Sequence, residues 1–67
     1  MKLNSSMLAE ANYNKDAKTL ELTFKSGKTY KYKGVNEIVF NELIKSDSAG
    51  RYFRNNILGH YDTEKEE

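Results

Sequence analysis

The sequence predicts an α+β domain in which a three-stranded antiparallel β-meander is followed by two α-helices packed on one face of the sheet. Three observations predict this fold. The first half of the chain alternates apolar and polar residues, the second half repeats apolar residues at helical spacing, and 67 residues are enough for one domain. Cysteine is absent, so disulfides and thiolate metal sites are excluded, and apolar packing must stabilise the fold.

The second and third strands, TLELTF and KTYKYK, form the clearest hairpin because both alternate. A two-residue loop at Ser26-Gly27 would turn the apolar face of one strand away from that of the other. A three-residue loop at residues 25–27 brings the faces together and puts Gly27 where a type I turn with a bulge needs a left-handed residue. This register makes four pairs across the hairpin: Thr19 with Lys33, Leu20 with Tyr32, Glu21 with Lys31, and Leu22 with Tyr30.

A weaker first strand precedes the hairpin at residues 7–13. A four-residue loop at residues 15–18 places Tyr13 against Leu20, so the apolar faces agree again. Leu8 then points away from the core, and we expect it to be exposed on an edge strand. The inward side chains of this strand are those of Met7, Ala9, Ala11 and Tyr13.

Two helices are predicted to cover the sheet. The first spans residues 36–46 and begins at Asn36, a good N-cap; the second follows Asp47-Ser48 and runs to about Leu58, with Gly59 as its stop. Ile38 and Leu58 fall outside the apolar arcs of both helices. Those arcs contain Val39, Phe40, Leu43 and Ile44 in the first helix, and Ala49, Tyr52, Phe53 and Ile57 in the second.

The formal net charge of +1 conceals an uneven distribution. The last six residues, DTEKEE, carry a net charge of −3, while residues 1–61 carry ten Lys and Arg against six Asp and Glu, a net of +4. We therefore expect a single, moderately basic domain at residues 1–61 and an acidic, disordered tail at residues 62–67. No apolar run suits a membrane span or a signal peptide, so we expect a cytoplasmic protein with no membrane partner.

Several marks, in this order and spacing, resemble the KTSC domain family over residues 5–61. They are Ser5-Ser6, Tyr13 before the first turn, the TLELTF strand, Tyr30-Lys31-Tyr32, and SAGRYF at residues 48–53. The family is a short module found at the C-terminus of some lysyl-tRNA synthetases and as stand-alone bacterial and phage proteins. Its relatives usually carry proline near the first turn and at the start of the first helix, and this sequence has none. The resemblance implies RNA binding.

The chemistry of the side chains argues against catalysis. His60 is the only histidine, cysteine is absent, and no metal-ligand spacing such as HExxH occurs, so we expect no enzyme, no metal and no cofactor. An exposed platform of Tyr30 and Tyr32 would suit base stacking. The favoured hairpin register instead places both rings beneath the helices, in the core.

The stretch SDSAGRYFRN is the better candidate site. A helix N-terminus attracts anions, and the arginine fork suits phosphate geometry. The alternative is that Ser48 only caps the helix, that Gly50 permits close packing, and that the arginines are simply solvated. The predicted nucleic-acid or anion-binding residues are Lys31, Lys33, Lys45, Ser48, Gly50, Arg51 and Arg54.

Three functions remain open at this level. The first is a non-catalytic module that contacts RNA or another nucleic acid through backbone phosphates. The second is a protein-interaction module, for example a phage-encoded modulator of a host protein, favoured by the low net charge and by Leu8, Ile38 and Leu58 outside the core arcs. The third is a site for a small anion or nucleotide at the start of the second helix. Exposed Leu8 would equally suit a homodimer seam.

Overall fold

A computed structural model of the chain describes residues 1–3 and 5–66. These residues contain one antiparallel sheet of four strands, which lie in the order β1 (Leu8–Asn14), β2 (Thr19–Phe24), β3 (Thr29–Lys33) and β4 (Asp62–Glu66). The predicted α+β class with an antiparallel meander and two helices is confirmed, but the predicted number of three strands is wrong. The helices, α1 (Glu37–Lys45) and α2 (Ala49–Asn56), lie between β3 and β4 in the chain.

The additional strand comes from the acidic segment that composition marks as a disordered tail. It lies beside β3, where Lys31 is opposite Glu64 and Lys33 is opposite Asp62. The Nζ atom of Lys33 also lies 3.8 Å from Oε2 of Glu64. For residues 62–66 the expectation of a disordered tail is wrong, because composition does not take account of the edge of β3, whose outward lysines are complementary to an acidic strand. The last residue of the predicted tail, Glu67, lies outside the described residues.

The β2–β3 hairpin has the predicted register. Leu20 is paired with Tyr32 and Leu22 with Tyr30, and the three residues between Phe24 and Lys28 form the loop. Gly27 has a φ of 97°, which is the left-handed conformation that the turn requires.

Strand β1 departs from the predicted alternation at its start. The register shifts between Leu8 and Glu10, so that Leu8 lies opposite Phe24 and is fully buried. The expectation of an exposed Leu8 is therefore wrong, because a bulge adds one residue and turns the start of the strand over. Backbone hydrogen bonds of 3.0 Å from Leu3 N to Ala9 O and 2.8 Å from Ala11 N to Met1 O also cover this edge of the sheet.

The core lies between the sheet and the two helices. Tyr32 is 2% exposed, and its ring meets that of Phe53 at a centroid distance of 5.7 Å. On the other side of the core, the rings of Tyr13 and Phe40 stack with a centroid distance of 5.3 Å. The Tyr13 hydroxyl donates a hydrogen bond to the carbonyl of Val35. The fully or nearly fully buried apolar residues are Leu8, Ala11, Leu20, Leu22, Tyr32, Val35, Leu43, Ala49, Phe53 and Ile57.

The helix boundaries follow from their caps. The side chain of Asn36 accepts a hydrogen bond from Ile38 N, which starts α1 as predicted. Helix α2 ends at Asn56, two residues before the predicted end, and Gly59 follows with a φ of 81°. Within the described residues, no helix is long and apolar enough to cross a membrane.

Candidate functional site

The loop before α2 is held by serine side chains. Ser48 Oγ accepts a hydrogen bond from Arg51 N at 3.3 Å, so Ser48 is the N-cap that the sequence predicts. Ser46 Oγ accepts from Ser48 N at 3.2 Å and donates to Ser48 O at 3.0 Å. These bonds set the position of the first turn of α2 and leave the Ser48 hydroxyl proton available as a donor.

The N-terminal segment lies directly against this first turn. Ser5 Oγ accepts hydrogen bonds from Met7 N at 3.1 Å and Leu8 N at 3.2 Å, which directs the chain into β1. A Cβ atom on Gly50 would lie 3.3 Å from both Met7 Cε and Ser5 Oγ. Gly50 therefore allows α2 to approach the N-terminal segment closely, as the packing alternative predicts.

Between these two segments lies an open polar groove of about 390 Å³, the arginine groove. Arg51 and Arg54 are exposed, one turn apart, and neither guanidinium has a hydrogen bond or ion pair with any residue the structure describes. One carboxylate, that of Asp47, is also at the groove. The lining residues are Ser5, Ser6, Met7, Asp47, Ser48, Gly50, Arg51 and Arg54.

The predicted site residues thus divide into separate groups. Ser48, Gly50, Arg51 and Arg54 meet in the arginine groove, whereas exposed Lys45, in the last turn of α1, does not line it. Sequence reasoning missed Ser5 and Ser6 as groove residues, although the pair is one of the marks that resemble the family. Nothing in the sequence shows that residues more than 40 positions apart meet at Gly50.

The sheet lysines lie on the face of the sheet opposite the helices. Lys31 has Glu21 opposite it on β2 and Glu64 opposite it on β4, and Lys33 lies near Glu64. Cross-strand acids offset the positive charge of this face. The structure therefore does not join Lys31 and Lys33 to the arginine groove, and the acids of β4 further offset the positive charge of their face.

A second, apolar groove of about 280 Å³ lies between the β2–β3 turn and the end of α2; we call it the aromatic groove. Tyr30 is half-buried there, and the ring of Phe24 meets those of Tyr30 and Phe53 edge to face at 5.6 and 5.4 Å. The prediction that both tyrosine rings face the helices holds, but Tyr30 also reaches the surface. The lining residues are Phe24, Ser26, Lys28, Tyr30, Tyr32, Phe53 and Leu58.

Among the described residues, no group of three or more His, Cys, Asp or Glu side chains is arranged to hold a metal ion. Burial, and to a smaller extent the neighbouring Tyr30, raises the pKa of Tyr32 to about 12. The shift results from the position of Tyr32 in the core.

Comparisons with known proteins agree with this architecture. A protein-family model described as KTSC domain matches residues 4–61. An uncharacterized protein of Stutzerimonas stutzeri (strain A1501) is 39% identical over 51 residues, which cover 76% of this chain and 72% of the relative. The crystal structure of a KTSC domain protein from Yersinia pestis is 31% identical and superposes with a TM-score of 0.94, covering 100% of this chain and 94% of that one.

Proposed function

Because the chain belongs to the KTSC domain family, whose fold it has throughout, we propose from the arginine groove that it is a non-catalytic binding module. Its partner is RNA or another nucleic acid, held through backbone phosphates. The observation that carries this proposal is the pair of exposed guanidinium groups at one polar groove, without a partner in the described part of the chain.

Physical chemistry supports phosphate as the bound group. Arginine donates two parallel hydrogen bonds to a phosphate, and charge-assisted bonds of this kind are stronger than neutral ones. The first turn of α2 adds positive dipole and N–H groups, and the Ser48 hydroxyl can add a donor. The family resemblance extends to the C-terminal module of some lysyl-tRNA synthetases and to stand-alone bacterial and phage proteins. Because those synthetases act on tRNA, the resemblance to their module favours RNA among the polyanions.

The contact surface in this proposal is centred on α2 and not on the sheet. Acidic residues of β2 and β4 oppose the sheet lysines, so Lys31 and Lys33 contribute less than the sequence alone indicates. The acidic segment is paired to β3. Among the described residues, no carboxylate forms an ion pair with the guanidinium of Arg51 or Arg54. Binding is therefore weak, dependent on salt, and poor in base-specific hydrogen bonds.

Titration of single-stranded RNA and tRNA at two salt concentrations tests the proposal. Arg51→Gln/Arg54→Gln should weaken binding at low salt and reduce the salt slope by about 0.7 for each phosphate that is no longer neutralised. The matched control is Lys15→Gln/Lys18→Gln, which removes the same charge from the β1–β2 turn at the other end of β1. Equal losses in the two variants would mean that general charge alone is responsible, and no binding at low salt would remove the proposal.

A protein-interaction module is the second candidate, favoured by two exposed aliphatic side chains. Ile38 is 62% exposed and Leu58 is 54% exposed. Leu8 does not support this candidate or a homodimer seam, since it is buried and residues 1–3 cover its edge. Salt-insensitive retention of a host protein by the wild type, abolished in Leu58→Ala, would favour this function over nucleic-acid binding.

A further inference from the structure

We propose that the aromatic groove receives one unpaired nucleobase of the same strand whose phosphate the arginine groove binds. This inference rests on the proposed function and names its substrate class: single-stranded nucleic acid with an unstacked base. Duplexes are disfavoured because their bases are paired and stacked, whereas an aromatic site needs a free ring face.

Lining residues of the two grooves are adjacent at two places in the fold. At the N-terminal side, Met7 lines the arginine groove, and its carbonyl accepts a hydrogen bond from Lys25 N at 2.9 Å, directly after Phe24 of the aromatic groove. On α2, Phe53 lines the aromatic groove and the next residue, Arg54, lines the arginine groove. In this proposal, one strand reaches both grooves along these adjacent residues.

The aromatic groove has the composition that base stacking requires. The rings of Phe24 and Tyr30 are half-buried and meet edge to face at 5.6 Å, and the buried ring of Phe53 packs against Phe24 at 5.4 Å. Ordering the two half-buried rings therefore costs little on binding. Leu58 contributes an exposed apolar surface at the end of α2. Aromatic side chains bind bases with little regard to sequence, because every base has a π-face.

Size and charge favour a nucleotide over other occupants. A volume of about 280 Å³ lies just below the ~300–1,000 Å³ of pockets for drug-sized ligands, so the groove suits a single planar ring system. Lys28 lines the aromatic groove, and Arg51 and Arg54 line its neighbour, so cations flank the apolar surface. This pattern is complementary to a base carried between two phosphates, and an uncharged apolar peptide would leave these cations unpaired.

The test compares two oligomers with equal numbers of phosphates, an oligouridylate and an abasic sugar-phosphate chain of the same length. We expect the wild type to bind the oligouridylate at least about fivefold more tightly, which is the lower range for stacking of one base. Tyr30→Leu, which keeps apolar bulk, and Leu58→Ala should reduce this ratio toward one without changing the affinity for the abasic chain. Ile38→Ala is the matched control, because Ile38 is a similarly exposed aliphatic residue on α1 that does not line the aromatic groove.

The outcomes separate this inference from the function on which it rests. Equal affinities for the two oligomers, both reduced in Arg51→Gln/Arg54→Gln, would overturn the base site and leave phosphate binding intact. Failure of both oligomers to bind at low salt would overturn both proposals. Retention of a protein through Leu58 with no preference for the base-bearing oligomer would assign the aromatic groove to a protein partner. Since Leu58 is 54% exposed, Leu58→Ala keeps the fold and the test does not depend on the half-buried Tyr30.

Discussion

Tyr52 of α2 is joined to Glu42 of α1: the tyrosine hydroxyl donates a hydrogen bond to Oε1 of the glutamate over 2.7 Å. Burial, followed by this hydrogen bond and the charge of Glu42, raises the pKa of Tyr52 to about 12. The bond connects α1 to α2, which are joined in the chain by the loop at residues 46–48. It therefore helps to fix the position of the first turn of α2 and, with it, the position of the arginine groove.

Removing the hydroxyl in Tyr52→Phe should destabilise the domain by about 1 kcal/mol or less, because the bond is partly exposed to water. Urea unfolding followed by circular dichroism measures this change. Glu42→Gln is the control, since its amide oxygen still accepts the hydrogen bond. An equal decrease in stability in both variants would show that charge, and not the bond itself, stabilises the helix pair.

Packing at Gly50 should limit side-chain size there. Gly50→Val is expected to destabilise the fold by about 1–3 kcal/mol, because an added Cβ would lie 3.3 Å from Ser5 Oγ, which is held by two backbone N–H groups. Asn55→Val, on the exposed side of the same helix, is the matched control, because asparagine and valine have similar helix propensities. Equal midpoints for the two variants in urea would contradict the close approach of α2 to the N-terminal segment.

Alkaline pH should weaken the fold through Tyr32. Its pKa is about 12 in the folded state, against about 10 for a free tyrosine, so the folded chain keeps a proton that the unfolded chain loses. The stabilisation is complete below about pH 10 and disappears as the pH rises through about 12. Urea unfolding at constant ionic strength should show a fall on the order of 2 kcal/mol across this window.

Tyr32→Phe is the control for this pH dependence. It keeps the ring packed against Phe53 and removes the ionising group, so the fall in unfolding free energy should become smaller. The remainder should come mainly from Tyr52, whose pKa is also raised to about 12. An unchanged pH profile in Tyr32→Phe would contradict the assignment.

Removal of residues 62–67 should have opposite effects on stability and on polyanion binding. Without β4 the edge of β3 is unpaired, and we expect a destabilisation of about 1–2 kcal/mol, measurable by urea unfolding and by faster hydrogen exchange of β3 amides. The net charge rises from +1 to +4, so affinity for single-stranded RNA at low salt should increase.

A second variant separates charge from pairing in this truncation. Asp62→Asn/Glu64→Gln removes two acids and keeps the strand, so it should raise RNA affinity with little change in hydrogen exchange. Protection of the β3 amides that is unchanged by the truncation would mean that β4 does not pair in solution.

Local patterns were sufficient for much of the fold. The alternation of TLELTF and TYKYK, together with Gly27, determined the hairpin register, and Asn36 and Ser48 determined where the helices begin. These features involve residues close together in the chain, so period and capping rules apply to them directly. The grouping of Ser48, Arg51 and Arg54 near one helix start was predictable for the same reason.

Long-range contacts decided the rest. Pairing of β4 with β3, burial of Leu8 through a bulge, and the approach of Ser5 to Gly50 join segments whose individual patterns are weak or misleading. Each depends on what lies opposite a residue in space, which neither composition nor period encodes. The sequence by itself determined the fold class and the cationic start of α2. Tertiary structure decided that the acids of β4 also face the sheet lysines, and that Tyr30 and Leu58 line one apolar groove.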